Sequence, residues 1–493
     1  MRAAILTLLL ATVATACAPT PAPRDEASPT EPSPPAAWPE PPAVPAGALE
    51  PAVEDAIDRL VTTSLGRGPD PGALDEIAAS GDARLAWLLA DVMRFAPLGA
   101  GEDAVIDAFA RLTGADARDT RFGANPWLAV TNLLIGWDLP APPGYRERKA
   151  ALFLGIEPKW APFFADEAST IDWRVTTWGG VFIDDRAIGD GQPCSRGCIP
   201  ALDDPALTPA ADGDWYGDDR IVFGVTVGDE SVAFPKHIME VHEMVNITIG
   251  GRRIGLPYCT LCGSAQAYLT DATPEGVETI VLRTSGLLTR SNKVMYDLAS
   301  GSAFDTFRGD AVSGPLREIG FVLEETSVTV SSWGEWKAAH PNTKIVARDG
   351  GIGRTYPDDP LCGRDDGGPI FPIGPADSRL PAQAPVVGVI DGAGMPVAFA
   401  ADLARAELAA GRAVALGDVE LTADGGGLHA VSVDGNDLVA HEAFWFAWSQ
   451  FHPETALWAP PGIEAPPAPP PVAPTLDTCS ELFDPFGSAG PVW

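Results

Sequence analysis

The sequence predicts an α+β protein: a small N-terminal α-helical domain followed by a β-rich body built from two unequal pseudo-repeats. Three observations carry this. Apolar residues between 49 and 165 recur at helical spacing. Beyond Trp173, short apolar runs broken by Gly, Asp and Asn take over. One ordered set of motifs then occurs twice. Across 493 residues, 33 Lys plus Arg face 67 Asp plus Glu, a net charge of −34. Such a surface repels phosphate backbones and excludes nucleic acid as a partner.

Residues 1–17 read as an export signal. Arg2 precedes an apolar run from Ala3 to Leu10, too short to span a bilayer, and Ala14, Thr15 and Ala16 lead into Cys17. This ending fits a lipobox, with Cys17 the lipidation site and the membrane a partner through the acyl chains. It also fits an ordinary signal peptide with a chance cysteine. The expected location is extracytoplasmic, lipid-anchored at a cell membrane or envelope. Residues 18–48 carry eleven prolines and predict an extended tether. Residues 459–493 form a second Pro-rich stretch, the C-terminal tail.

Residues 49–165 predict the helical domain. Asp82 is placed to cap a helix carrying Leu85, Leu88, Leu89 and Val92, and Trp127 to Trp137 predicts another. Nothing here suggests chemistry, and the segment reads as a scaffold or a protein partner's surface.

The body, 173–458, is organised by one comparison. Gly224-Val225, Val232-Ala233-Phe234, Gly251-Arg252-Arg253-Ile254, Trp336 and His340-Pro341-Asn342-Thr343 occur in that order. So do Gly388-Val389, Val397-Ala398-Phe399, Gly411-Arg412-Ala413-Val414, Trp448 and His452-Pro453-Glu454-Thr455. The expected repeats span 221–346 and 386–458. Phe234 and Trp336 stand 102 positions apart, Phe399 and Trp448 only 49. The shorter copy is expected to lack the part holding Cys259, Cys262 and the polar segment after them.

Outside the cytoplasm, thiols tend to oxidise. Cys194 and Cys198 sit in a Gly/Pro loop where a tight bridge is easy. Cys362 and Cys479 either pair or stay free. Cys259-Thr260-Leu261-Cys262 can ligate metal, cycle as a redox pair or close a local disulfide. Zinc or copper would need further ligands; Cys194 and Cys198 could complete a four-sulfur site, and His242 is the nearest histidine in sequence. His242-Glu243 opens like a zinc-protease helix, but Asn246 stands where the second histidine is required. The pair remains a candidate general base with its orienting partner, or a structural pair. Ser285, Ser291, Asn292 and Asp297 lie in polar clusters beside apolar strands, placed to line a pocket or to satisfy backbone groups.

These residues also resemble a known family. His242-Glu243-x-x-Asn246, Gly250-Gly251 and Tyr258-Cys259-Thr260-Leu261-Cys262-Gly263-Ser264-Ala265 are similar to the core signature of the bacterial domain of unknown function 3179. Ser285-Gly286-Leu287-Leu288, Ser291-Asn292, Met295-Tyr296-Asp297, Gly314-Pro315-Leu316, Arg354-x-Tyr356 and Asp359-Pro360 continue the resemblance, which closes on Phe444 to Thr455 and covers Trp173 to Trp458. It implies an exported or lipid-anchored protein and supplies no catalytic roles. The sequence departs from the pattern at Ile247, where an Asp is usual, and at Ala303 to Phe307, which implies an altered pocket wall.

Two functions of different class follow. One is a lipid-anchored binding or scaffold protein whose Cys/His cluster is structural or metal-binding, with its small-molecule ligand unidentified. The other is an extracytoplasmic enzyme, thiol-redox or hydrolytic, working at His242/Glu243 and Cys259/Cys262.

Overall fold

The computed structural model describes residues 38–95, 100–192, 194, 196–363 and 367–458. The signal segment with Cys17, most of the tether, and the tail with Cys479 lie outside them. Helices span Pro51–Ser64, Pro71–Ser80, Ala86–Phe95, Ala100–Thr113, Pro126–Trp137, Tyr145–Ile156 and Ala161–Ala165. Local chemistry sets their starts. Asp70 accepts from the Ala73 N–H at 2.8 Å with Pro71 as first helical residue. Asn125 and Pro126 repeat the device, Asn125 accepting from the Leu128 N–H at 2.9 Å.

The helical segment is continuous with the body. From Pro39 onward the described residues belong to one compact unit. The Trp160 indole donates to the Ser285 carbonyl at 2.8 Å, and the Asn132 side chain accepts from the Ile373 and Gly374 N–H groups.

The body holds five small sheets in a β-propeller-like arrangement. One orders Thr176–Trp178, Leu282–Thr289, Asn292–Asp297, Ala303–Asp305 and Ala311–Ser313. The remaining four fall into two similarly wired frames.

In each frame a central antiparallel hairpin joins Ile221–Val227 to Glu230–Pro235, or Pro385–Ile390 to Pro396–Ala400. An antiparallel strand lies on one side, Thr329–Ser332 or Ala440–Phe444. A parallel strand lies on the other, Lys344–Val346 or Ala456–Trp458. A seven-residue helix, Trp333–Ala339 or Trp445–Phe451, connects the two flanking strands. Gly224 and Gly388 are small for the same reason: a Cβ there would meet the Trp336 or Trp448 ring at 2.4 or 2.0 Å. Each indole N–H then donates to the threonine of His-Pro-x-Thr, Thr343 at 3.0 Å and Thr455 at 2.8 Å.

The parallel extends through a second sheet in each frame. After helix Lys236–His242, the strands Met244–Ile249, Arg252–Cys259, Ala267–Leu269 and Glu324–Thr326 lie side by side, with Leu202–Asp203 added at the edge. After helix Ala401–Ala409, so do Val414–Leu416, Val419–Asp424, Gly427–Ser432 and Asp437–Leu438. Two expectations need correction. The Gly251 and Gly411 motifs are one strand out of step, because Gly251 opens the second strand of its sheet and Gly411 the first. A Gly-Arg pair marks a strand start after any tight turn and is too short to fix register. The shorter frame also keeps the hairpin position of the cysteines, in the turn from Asp424 to Gly427. What it lacks is the excursion 270–323, which supplies four strands of the first sheet; in its place the chain turns directly from Ser432 to Asp437.

Candidate functional site

The signature Cys-x-x-Cys forms the tip of a hairpin. Cys259 ends the strand Arg252–Cys259 and pairs with Ser264, and Thr260–Cys262 make a single 3₁₀ turn closed by Gly263 at φ +58. A Cβ on Gly263 would meet the Phe444 ring of the second frame at 2.9 Å. Cys259 and Cys262 are 2% and 0% exposed, both free thiols, packed among Phe307, Trp445, Phe446 and Trp448.

The excursion supplies the other wall. Its hairpin Leu282–Thr289/Asn292–Asp297 turns through Arg290 and Ser291 at φ +48 and +69. This is the positive-φ pair of a type I′ turn, made without glycine. Non-glycine residues held there cost about 1–3 kcal/mol each. The strained turn delivers the Ser291 carbonyl, which accepts from both thiols, Cys259 at 3.5 Å and Cys262 at 3.4 Å.

Beside the thiols lies a buried ion pair. Lys293, 2% exposed, places Nζ 2.7 Å from Glu243 Oε2 and donates to the carbonyls of Glu243 at 2.8 Å and Tyr258 at 3.0 Å, so its three protons are all engaged. Glu243 Oε1 accepts from Thr260 Oγ1 at 2.8 Å, tying the ion pair to the Cys-x-x-Cys turn. Burial raises both thiols. For Cys259, the neighbouring Cys262 thiol, with a smaller part from the Lys293 ammonium, outweighs burial and the Glu243 charge, leaving it below the ordinary thiol value. Burial and the neighbouring Cys259 sulfur hold Cys262 well above it.

His242 belongs elsewhere. It is the last residue of its helix, and Glu243 turns at φ +50, so the two neighbours diverge. His242 Nδ1 lies 2.7 Å from the Pro200 carbonyl, an acceptor only, and therefore carries the proton. Nε2 accepts from the Tyr356 hydroxyl at 2.8 Å. Burial pushes this histidine down to about 4. It is neutral, engaged at both nitrogens and separated in role from Glu243, which corrects the expected acid–base pair.

The four-sulfur site also fails. Cys194 and Cys198 are bonded to each other. With Asp184 they form the one group among the described residues whose ligand atoms could surround an ion. Both Asp184 oxygens are already taken, by Arg186 Nε at 2.7 Å and the Ala201 N–H at 2.8 Å, so the bridge is the better account. Cys362 is disulfide-bonded as well.

The pocket candidates divide. Asn246 stitches backbone, donating to the Leu282 carbonyl and accepting from the Leu282 N–H, both at 3.1 Å. Ser285 serves the bulge between Thr284 and Leu287, accepting from the Leu287 N–H at 3.1 Å. Asp297 accepts from the Val281 and Ser300 N–H groups. Ser291 Oγ and Asn292 Oδ1, by contrast, are buried without a hydrogen-bond partner. Of the two departures, Ile247 lies in the apolar core, and Phe307 stacks on Phe451 beside the thiols.

Sequence reasoning singled out neither Lys293 as the partner of Glu243 nor a second buried triad. In the helical segment Lys149 and Tyr145 both donate to Asp91 at 2.8 Å. The cavity beside that triad, about 10 Å³, holds a single water at most. Among the described residues no helix is long and apolar enough to cross a membrane.

The fold and site define a mixed helix-and-sheet protein in which two similarly wired frames enclose a dithiol. Residues 196–434 match the family model described as Protein of unknown function (DUF3179), and over these residues the chain belongs to that family. The match is narrower at both ends than the expected Trp173 to Trp458. No curated protein and no solved structure matches the chain.

Proposed function

We propose that this is an exported protein held at the membrane through acylated Cys17, and that it works by binding: its ligand centre is the Cys259–Cys262 pair and its ligand a thiophilic metal ion. One observation carries the reading. Among the described residues the two free thiols are adjacent and converge on a single carbonyl over a buried ion pair. Thiolate sulfur is a soft ligand, and burial protects a bound ion from exchange. The two frames are read as an internal duplication, one copy having acquired the excursion that completes the centre.

The test is metal analysis of the exported protein beside its Cys259→Ser variant. Metal in the parent and its loss in the variant supports the reading; near-zero metal in both ends it. Anchoring is checked separately, since Cys17→Ser should move the protein out of the membrane fraction. A second reading, dithiol redox work, is favoured by two thiols that meet at one carbonyl, with Cys259 held below the ordinary thiol value. In that reading the pair closes to a disulfide and passes two electrons and two protons to an external disulfide, reduced to two thiols. Loss of both free thiols on exposure to glutathione disulfide in the folded protein would favour it.

A further inference from the structure

We propose that the ion held between Cys259 and Cys262 is copper(I), bound by the two sulfurs alone; this rests on the reading of the pair as a soft-metal centre. Zinc in protein sites takes four ligands, with water or substrate filling an open position in catalytic ones. Among the described residues, the one group of three or more His, Cys, Asp or Glu able to surround an ion is Asp184, Cys194 and Cys198, which excludes this pair. Glu243, the nearest carboxylate described above, has its two oxygens engaged by Thr260 and Lys293. Water is a poor substitute donor where the sulfurs are 2% and 0% exposed and walled by Phe307, Trp445 and Trp448.

Soft thiolates select copper(I) as well as zinc, and of the two only copper(I) is content with two sulfurs. On binding, two Cu–S bonds form, the sulfur-bound protons leave to solvent and no electron is transferred. A monovalent ion between two thiolates keeps one net negative charge, half the charge of the empty dithiolate, beside the Lys293–Glu243 pair, which is neutral as a unit. The Ser291 hydroxyl, 1% exposed and without a partner, stands on the turn whose carbonyl now receives both thiols. Loading the ion frees that carbonyl from the S–H groups.

The reduced full-length protein, free of oxygen, is titrated with copper(I) against bicinchoninate and with zinc(II) against a chromophoric chelator. One copper(I) per chain, lost in Cys259→Ser and in Cys262→Ser and kept in the Cys194→Ser/Cys198→Ser double variant, supports the assignment. X-ray absorption on the loaded parent, which needs no variant to fold, should show two sulfurs and no further donor. A third donor, or copper binding that survives Cys259→Ser, overturns it. Tighter zinc binding at the same cysteines overturns copper and leaves the soft-metal centre standing. Failure to bind either ion removes both.

Discussion

The frame 221–346 and the frame 385–458 share strand order, strand direction, a glycine beneath a tryptophan and an indole-to-threonine hydrogen bond. They differ in what their second sheets carry. The first has Cys259 and Cys262 at a hairpin tip and reaches out through 270–323 to bring Ser291 and Lys293 over them. The second closes the same hairpin at Asp424–Gly427 with neither sulfur nor excursion. Stability and chemistry are thus separable: the similarly wired frames supply the core, and the excursion from one of them supplies the groups around the thiols.

The harshest way to break this comparison is to remove the two tryptophans. Trp336→Ala and Trp448→Ala should each cost about 3–5 kcal/mol in denaturant unfolding. A loss below about 1 kcal/mol in one of them would show that the two frames are not mechanically alike. Lys293→Met tests what the first frame has alone. It strands the Glu243 carboxylate in the interior and should also cost about 3–5 kcal/mol, with much of it returned by adding Glu243→Gln. An additive double variant would deny the pair its coupling.

Each frame also carries a histidine that burial holds at about 4, His242 at the end of the helix Lys236–His242 in the first and His452 just after the helix Trp445–Phe451 in the second. His242 is held at about 4 against an ordinary 6.5, so the unfolded chain takes up the proton first. Stability from this group is complete above about pH 6.5 and is lost as pH falls toward 4, roughly 3 kcal/mol in all. His242→Phe should make that part of the stability–pH curve shallower by its own share, leaving the shares of His237 and His452; an unchanged curve would deny His242 its part. The smallest effect tests the equivalence most finely. Thr343→Val and Thr455→Val each leave a buried indole N–H unpaired and should cost matching amounts, about 1–3 kcal/mol.

Much of this architecture was legible because it rests on short-range rules. The twice-occurring Gly, Trp and His-Pro-x-Thr series marks residues that touch one another, so a repeated spacing reports a repeated contact. The Cys194–Cys198 bridge was legible for the same reason. The centre was harder to read. His242 and Glu243 look like a pair in sequence, but the left-handed turn at Glu243 ends the helical period and points them apart. Lys293 lies fifty positions from Glu243, on the excursion, and no periodicity announces that contact. The Gly-Arg motifs misaligned because they mark strand starts without saying which strand.

The glycine that closes the Cys-x-x-Cys turn makes the second frame a mould for the first. At Gly263 any larger side chain would be barred twice, by a backbone angle suited to glycine and by the flat of Phe444. The loop carrying the sulfurs is therefore cast against a neighbouring surface, so its exact form depends on the whole body having closed, and a fragment ending before Phe444 would leave that loop without its backing.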